Sequence, residues 1–188
     1  ECNIGGEFMA PERIERLKRI AGQTWLRNFD DRLGLSHEEL RRCESMPVSE
    51  LPAVETLLAD KPCHVIPRGV DKSLDPKYGF KVQVPENLYN FGEITNLCVA
   101  RGTLTEEERF KINEHIIQTI VMLDALPFPR ELQRVTEYAG THHETLTGTG
   151  YPRQLGEADL DIPMRIMAIA DIFEALTASD RPYKNAKT

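Results

Sequence analysis

His142-His143-Glu144-Thr145-Leu146-Thr147-Gly148-Thr149-Gly150-Tyr151-Pro152 sets two adjacent imidazoles ahead of a glycine-rich turn that closes on Gly-Tyr-Pro. Imidazole is the commonest neutral metal ligand. Glycine lets backbone approach where a side chain would clash. The stretch therefore suits a metal site whose next segment passes close to a ligand. Neighbouring residues on a helix point about 100° apart, so treating both histidines as core residues requires two separately buried imidazoles.

The flanking text carries further chemistry. Downstream, Ile162-Pro163-Met164-Arg165-Ile166-Met167-Ala168-Ile169-Ala170-Asp171-Ile172-Phe173-Glu174-Ala175-Leu176-Thr177-Ala178 reads as an apolar helix with Asp171 at its middle and no other charge between Arg165 and Glu174. A lone carboxylate is costly to bury unless it is paired, hydrogen-bonded or on a metal, so a structural ion pair and a ligand role both stand for it. Arg181-Pro182-Tyr183-Lys184 follows. Upstream, Leu104-Thr105-Glu106-Glu107-Glu108 opens a helix that carries His115 beside Ile112, Ile116 and Thr119. Taken alone, His115 reads as a satisfied core histidine.

Together these words, in this order, resemble the HD-GYP family of bacterial cyclic-di-GMP phosphodiesterases, from about Leu88 to the last residue. The resemblance implies an all-α, HD-superfamily helical bundle. It implies metal-ligand roles for His115, His142, His143 and Asp171, and dinucleotide contacts at Gly150, Tyr151, Pro152, Arg181 and Lys184. A guanidinium suits such phosphates through its planar donor fork. The family's His-Asp-x-Gly-Lys motif, however, reads Tyr89-Asn90-Phe91-Gly92-Glu93 here. The family's Asp bridges two metals, and a charged bridge holds them at the separation that activates a hydroxide. Asn90 is neutral, and Tyr89 with a reference pKa near 10 is a poor ligand. Glu93 stands where a Lys faces the scissile phosphate and would repel it. The family's Asp after the double His is Thr147. No catalytic set is intact, and the expectation is one divalent metal (iron, manganese or similar) per chain or none, with no two-metal site.

The bulk numbers bound the partners. A net charge of −7 argues against DNA or RNA binding, while leaving room for a local basic pocket. No apolar run approaches the roughly 18 residues of a membrane helix. Cys2, Cys43, Cys63 and Cys98 form no Cys-x-x-Cys pair, so neither a zinc knuckle nor a thiol redox motif is expected and reduced thiols in a cytoplasm are the default.

Along the chain, Glu1 to Phe8 reads as a vector-derived leader ahead of Met9. Residues 9–60 read as an N-terminal helical segment: Ile14, Leu17, Ile20, Ala21, Trp25, Leu26, Phe29 and Leu33 recur at helical spacing from Pro11 to Leu33. Ser36-His37-Glu38-Glu39 has capping-box spacing, and a third helix is expected from near Ser49 through Leu58. Residues 61–85, punctuated by Pro62, Pro67, Gly69, Pro76, Gly79 and Pro85, read as a long loop with extended pieces at His64–Ile66 and Phe80–Val84. Residues 86–188 form the HD-GYP-like domain: helical from Glu86, with helices over Thr105–Leu126 and Arg130–Thr141, and a last one capped by Asp161 with Pro163 in its first turn. The resemblance implies further helices beyond Lys184.

Three functions are open on this basis. A degenerate HD-GYP domain would sense a cyclic dinucleotide or bind a protein partner, for which the family suggests a diguanylate cyclase (GGDEF) domain. An active phosphodiesterase would use an altered centre with Asn90 or Tyr89 as weak ligands. A homodimerisation module would use the Pro11–Leu33 helix as its interface.

Overall fold

The computed structural model describes residues 8–69 and 74–178. Its residues cluster into two compact units, one drawn from Glu1–Val70 and Pro85–Glu108, the other from Asp71–Val84 and Arg109–Thr188. Six α-helices lie among the described residues, and the only strands there form two short antiparallel pairs. The all-α expectation therefore holds, with local hairpin-like pairing added in the first unit.

In the first unit, α1 (Pro11–Ala21) starts with Pro in its first turn, where the absent N–H costs nothing, and ends at Gly22. The single helix expected to Leu33 is thus corrected. Thr24–Arg27 is a strand, β1, whose Trp25 pairs with Glu55 and Leu26 with Val54 of β2 (Ala53–Thr56). The third expected helix is this second strand. β-branched and aromatic residues beside a pairing partner override a helical spacing of apolar residues. Past α1 that spacing has no buried face: Leu26 and Leu33 are 61% and 72% exposed. A dimer interface on one Pro11–Leu33 helix falls with it. Arg27, almost wholly buried, bonds the Phe29 carbonyl and meets Glu55 at 2.8 Å across the pair. Ser36 caps α2 (His37–Cys43) in a true capping box with Glu39, as its spacing indicates.

Within 61–85, the expected extended piece at His64–Ile66 forms β3 (Val65–Pro67), which pairs with β4 (Asn87–Asn90). The text from Glu86 is therefore a strand before it is a helix, and α3 spans only Glu93–Leu97. Phe8, assigned to the leader, bridges Arg101; residues 1–7 lie outside the described residues.

The second unit is built on α4 (Glu106–Asp124), whose first turn belongs to the first unit. Thr105 and Glu108 cap it reciprocally, the Thr105 N–H donating to the Glu108 carboxylate at 2.9 Å and the Glu108 N–H to the Thr105 hydroxyl at 3.3 Å. Ile116, Ile117 and Ile120 form the core, covered by Leu74, Tyr78, Phe80, Val82 and Tyr151. The Phe80–Val84 text is therefore a packed segment without a strand partner. It is pinned by the Lys81 N–H on the Pro152 carbonyl at 2.8 Å and by Arg153 Nε on the Tyr78 carbonyl at 3.0 Å.

The helix expected over Arg130–Thr141 is broken into a 3₁₀ turn (Arg130–Leu132) and α5 (Val135–Ala139). A Cβ on Gly140 would lie 2.6 Å from Ile120 Cγ1, so glycine there lets the end of α5 close on α4. α6 (Ile162–Thr177) packs on α5 and is capped by Asp161, whose carboxylate accepts from the Met164 N–H. Among its described residues only Met164 is buried. Asp171 is half-buried, and neighbouring Ile169, Ile172 and Phe173 are exposed.

Ile120→Ala empties a site with no solvent exposure and should destabilise the second unit by about 2–5 kcal/mol, read as a fall in the denaturant midpoint.

Candidate metal centre

Three imidazoles meet in the second unit. His115 comes from the middle of α4, and His142 and His143 from the turn after α5. Their ligand nitrogens all lie within 4.8 Å of one another. His115 Nδ1 faces the Ile112 carbonyl at 2.6 Å and His142 Nδ1 the Ala139 carbonyl at 2.8 Å. A carbonyl can only accept, so each ring donates from Nδ1, and in its neutral form leaves Nε2 as a lone pair. Backbone partners that fix the tautomer in this way are what histidine ligands ordinarily have.

His143 Nε2 sits 3.1 Å from His115 Nε2. Two lone pairs repel at that distance, so either the His143 proton or a cation lies between them. Nitrogens bound to one metal at about 2.0–2.1 Å, at angles between octahedral and tetrahedral, stand roughly 2.8–3.4 Å apart. The His115–His143 pair has that spacing, and His142 lies close enough to complete a three-nitrogen set for a divalent ion. His115 is exposed, which removes the core-histidine reading. His143 is held below its ordinary pKa of 6.5, first by burial, then by His142 and His115, with Asp171 pulling the other way. A neutral imidazole is the form that binds metal.

Asp171 is outside the three-nitrogen group, yet its charge acts on both His143 and Tyr151. Burial first, and then Asp171, raise the Tyr151 phenol. The Tyr151 ring stacks on His143 with centroids 4.7 Å apart at 21°. Its N–H donates to the His143 carbonyl at 3.2 Å. Gly150 makes this possible. A Cβ there would fall 2.5 Å from Glu144 Cα and 2.6 Å from the His143 oxygen and Thr145 nitrogen, so any side chain pushes the loop off the histidines.

Sequence reasoning missed Glu144. It is 6% exposed, and its carboxylate accepts from the Arg153 N–H at 2.7 Å and the Leu155 N–H at 2.9 Å. It therefore ties the segment after Gly-Tyr-Pro to the double histidine. An acid directly after two histidines was the available signal. Thr147, standing in for the family's Asp, shares a ring of hydroxyls with Thr145 and Thr149 at 2.9–3.2 Å, a neutral turn cap.

Tyr89, Asn90 and Glu93 belong to the first unit, and each side chain has local work there. Tyr89 pairs with Ile66 and stacks on Phe91 at 5.5 Å. Asn90 Oδ1 accepts the Gly92 N–H at 2.9 Å. The Glu93 carboxylate accepts the Ala59 N–H at 2.8 Å. Arg181 and Lys184 lie outside the described residues.

A profile of the HD domain family matches residues 52–188. The chain belongs to the HD domain family. The 3'3'-cGAMP-specific phosphodiesterase 1 of Vibrio cholerae is 45% identical over 85 residues, which cover 45% of this chain and 19% of that protein. The cyclic di-GMP phosphodiesterase of Thermotoga maritima is 37% identical over 110 residues, 57% of this chain and 29% of that protein. The cyclic di-GMP phosphodiesterase response regulator RpfG of Xanthomonas campestris pv. campestris is 32% identical over 110 residues, again 57% and 29%. The chain thus spans less than a third of the length of these relatives. With relatives so named, it sits with the HD-GYP branch of the HD superfamily. No helix among the described residues is long and apolar enough to cross a membrane.

Glu144→Ala leaves two half-buried N–H groups without their carboxylate acceptor, each costing up to about 1–3 kcal/mol. The expected outcome is a lower melting temperature and proteolytic cleavage between Gly148 and Gly156 that the unsubstituted chain resists.

Proposed function

We propose that this chain is a cyclic-dinucleotide-responsive HD-GYP domain that holds at most one divalent metal and hydrolyses its ligand weakly or not at all. What carries the reading is the engagement of Asn90 and Glu93. The Asn90 amide oxygen and a Glu93 carboxylate oxygen accept backbone N–H groups there, at 2.9 and 2.8 Å. A neutral amide so occupied is a poor bridge between two cations, and Glu93 opposes a phosphate electrostatically.

The metal's holders would be His115, His142 and His143, with Asp171 as the nearby acid. When bound, a divalent ion would supply Lewis acidity and a charge that attracts phosphate. The chain's own residues contribute the rest. The Ile112 and Ala139 carbonyls orient two imidazoles, Glu144 and Gly150 hold the loop against them, and Tyr151 offers a ring face on which a base can stack, as aromatic side chains commonly do for nucleobases. Arg181 and Lys184 are the anion contacts that the resemblance to the family implies. Three of its relatives are named for acting on 3'3'-cGAMP or cyclic di-GMP, which makes these two dinucleotides the ligands to test. A signalling output through a protein partner of the diguanylate cyclase class, or through a second copy of the chain, is the natural use of a domain that binds without cleaving.

Calorimetric titration with cyclic di-GMP and 3'3'-cGAMP, beside a hydrolysis assay supplemented with Mn(II) or Fe(II), tests this. Saturable binding without linear product is expected, and linear dinucleotide formed at about 1 s⁻¹ or faster, the ordinary enzymatic range, would overturn it. Arg181→Ala should weaken binding about tenfold or more, the loss of one charge-assisted contact.

The combined variant Tyr89→His, Asn90→Asp and Glu93→Lys should gain hydrolysis. If binding persists and no hydrolysis appears, the loss of activity lies outside this motif.

A further inference from the structure

Cys43 and Cys63 are far apart in the chain and share no motif, yet they meet in the first unit. Cys43 is the last residue of α2, and Cys63 is the middle residue of the 3₁₀ turn Pro62–His64. α2 and that turn pack together, and Arg42 Nε, from the residue beside Cys43, donates to the Cys63 carbonyl at 3.3 Å. Both are half-buried, and both line a cavity of about 310 Å3 whose wall also holds Leu35, Met46, Phe91 and Lys61. Two half-buried thiols on the wall of one cavity are open to a small reagent, unlike structural cysteines, which are buried singly and inert. Burial, and then the Cys43 thiol, raise Cys63, while Lys61 opposes them.

We propose that Cys43 and Cys63 are a redox-modification site, a dithiol that closes to an intrachain disulfide by exchange with a low-molecular-weight disulfide such as oxidised glutathione. Either cysteine, once deprotonated, attacks one sulfur of the external disulfide. That S–S bond breaks, a protein–glutathione mixed disulfide forms, and one glutathione leaves as thiolate. The second protein thiolate then attacks the protein sulfur of the mixed disulfide, forming the Cys43–Cys63 bond and releasing the second glutathione. Two protein thiols are oxidised, one external disulfide is reduced to two thiols, and the two protons pass to the departing thiolates through solvent. The ammonium of Lys61 lines the same cavity and opposes the rise at Cys63.

Closure would tie the end of α2 to the residue that leads into β3, whose partner β4 carries Tyr89 and Asn90. The proposal is independent of whether the dinucleotide is bound or cleaved.

The full chain, reduced and then equilibrated with oxidised glutathione, should lose two of its four thiols by colorimetric titration. Mass spectrometry of an unreduced digest should show one peptide pair joining Cys43 to Cys63, and dithiothreitol should restore all four thiols. Cys63→Ser should stop at a stable glutathione adduct on Cys43, and Cys43→Ser at one on Cys63. Cys98→Ser should form the same bond as the unsubstituted chain. Retention of all four thiols, linkage through Cys98 or Cys2, disulfides between chains, or an unchanged thiol loss in Cys63→Ser would each overturn the proposal.

Discussion

The close approach of Gly150 to the backbone of residues 143–145 is the contact on which the rest of the site depends. With no Cβ, the loop lies directly on the double histidine. Tyr151 can then stack on His143, and the Glu144 carboxylate can reach the N–H groups of Arg153 and Leu155. The other wall of the site comes from packing. Ile116, Ile117 and Ile120 bury one side of α4 under the 74–84 segment and Tyr151, which fixes the angle at which adjacent His115 faces out. Gly140 lets α5 close on Ile120 and delivers His142 and His143 to the same place. Three imidazoles from two stretches converge because two glycines remove obstacles and one isoleucine cluster supplies the adhesion.

The electrostatics follow from that convergence. Burial, and then the neighbouring His142 and His115 rings, hold His143 toward its neutral form. On His115 and His142 the backbone carbonyls take Nδ1 and leave Nε2 facing the site. Such a set has little reorganisation left to make when a cation arrives. A second cation would call for a charged bridge, and the motif positions that supply one in the family are held by Tyr89 and Asn90, whose groups serve a strand pair and a turn.

Much of this was legible in the sequence where a local rule has a single outcome. Ser36 with Glu39, Thr105 with Glu108, and Asp161 ahead of Pro163 each announce a helix start, and each cap is made. The convergence of His115 with His142 and His143 was legible from motif order. What was not legible depended on partners distant in the chain. Trp25 and Leu26 keep a helical spacing but pair with Glu55 and Val54, and nothing local to either segment specifies the other. The helix expected from Glu86 fails for the same reason, since Asn87–Asn90 finds Val65–Pro67. Asp171 looked enclosed because its neighbours are apolar, yet Ile169, Ile172 and Phe173 are exposed. Apolar text states what a helix would bury, not what covers it. The approach of Cys43 and Cys63 to one cavity was invisible for the same reason, because no spacing rule joins a helix end to a distant turn.

The proposed site holds a single metal on three imidazoles and lacks the bridge for a second ion. Metal content of the purified chain by plasma mass spectrometry, compared with His143→Ala, addresses it most directly. No more than one equivalent of divalent metal per chain, lost on His143→Ala, is the expected result. Two equivalents per chain, or one that survives His143→Ala, would contradict it.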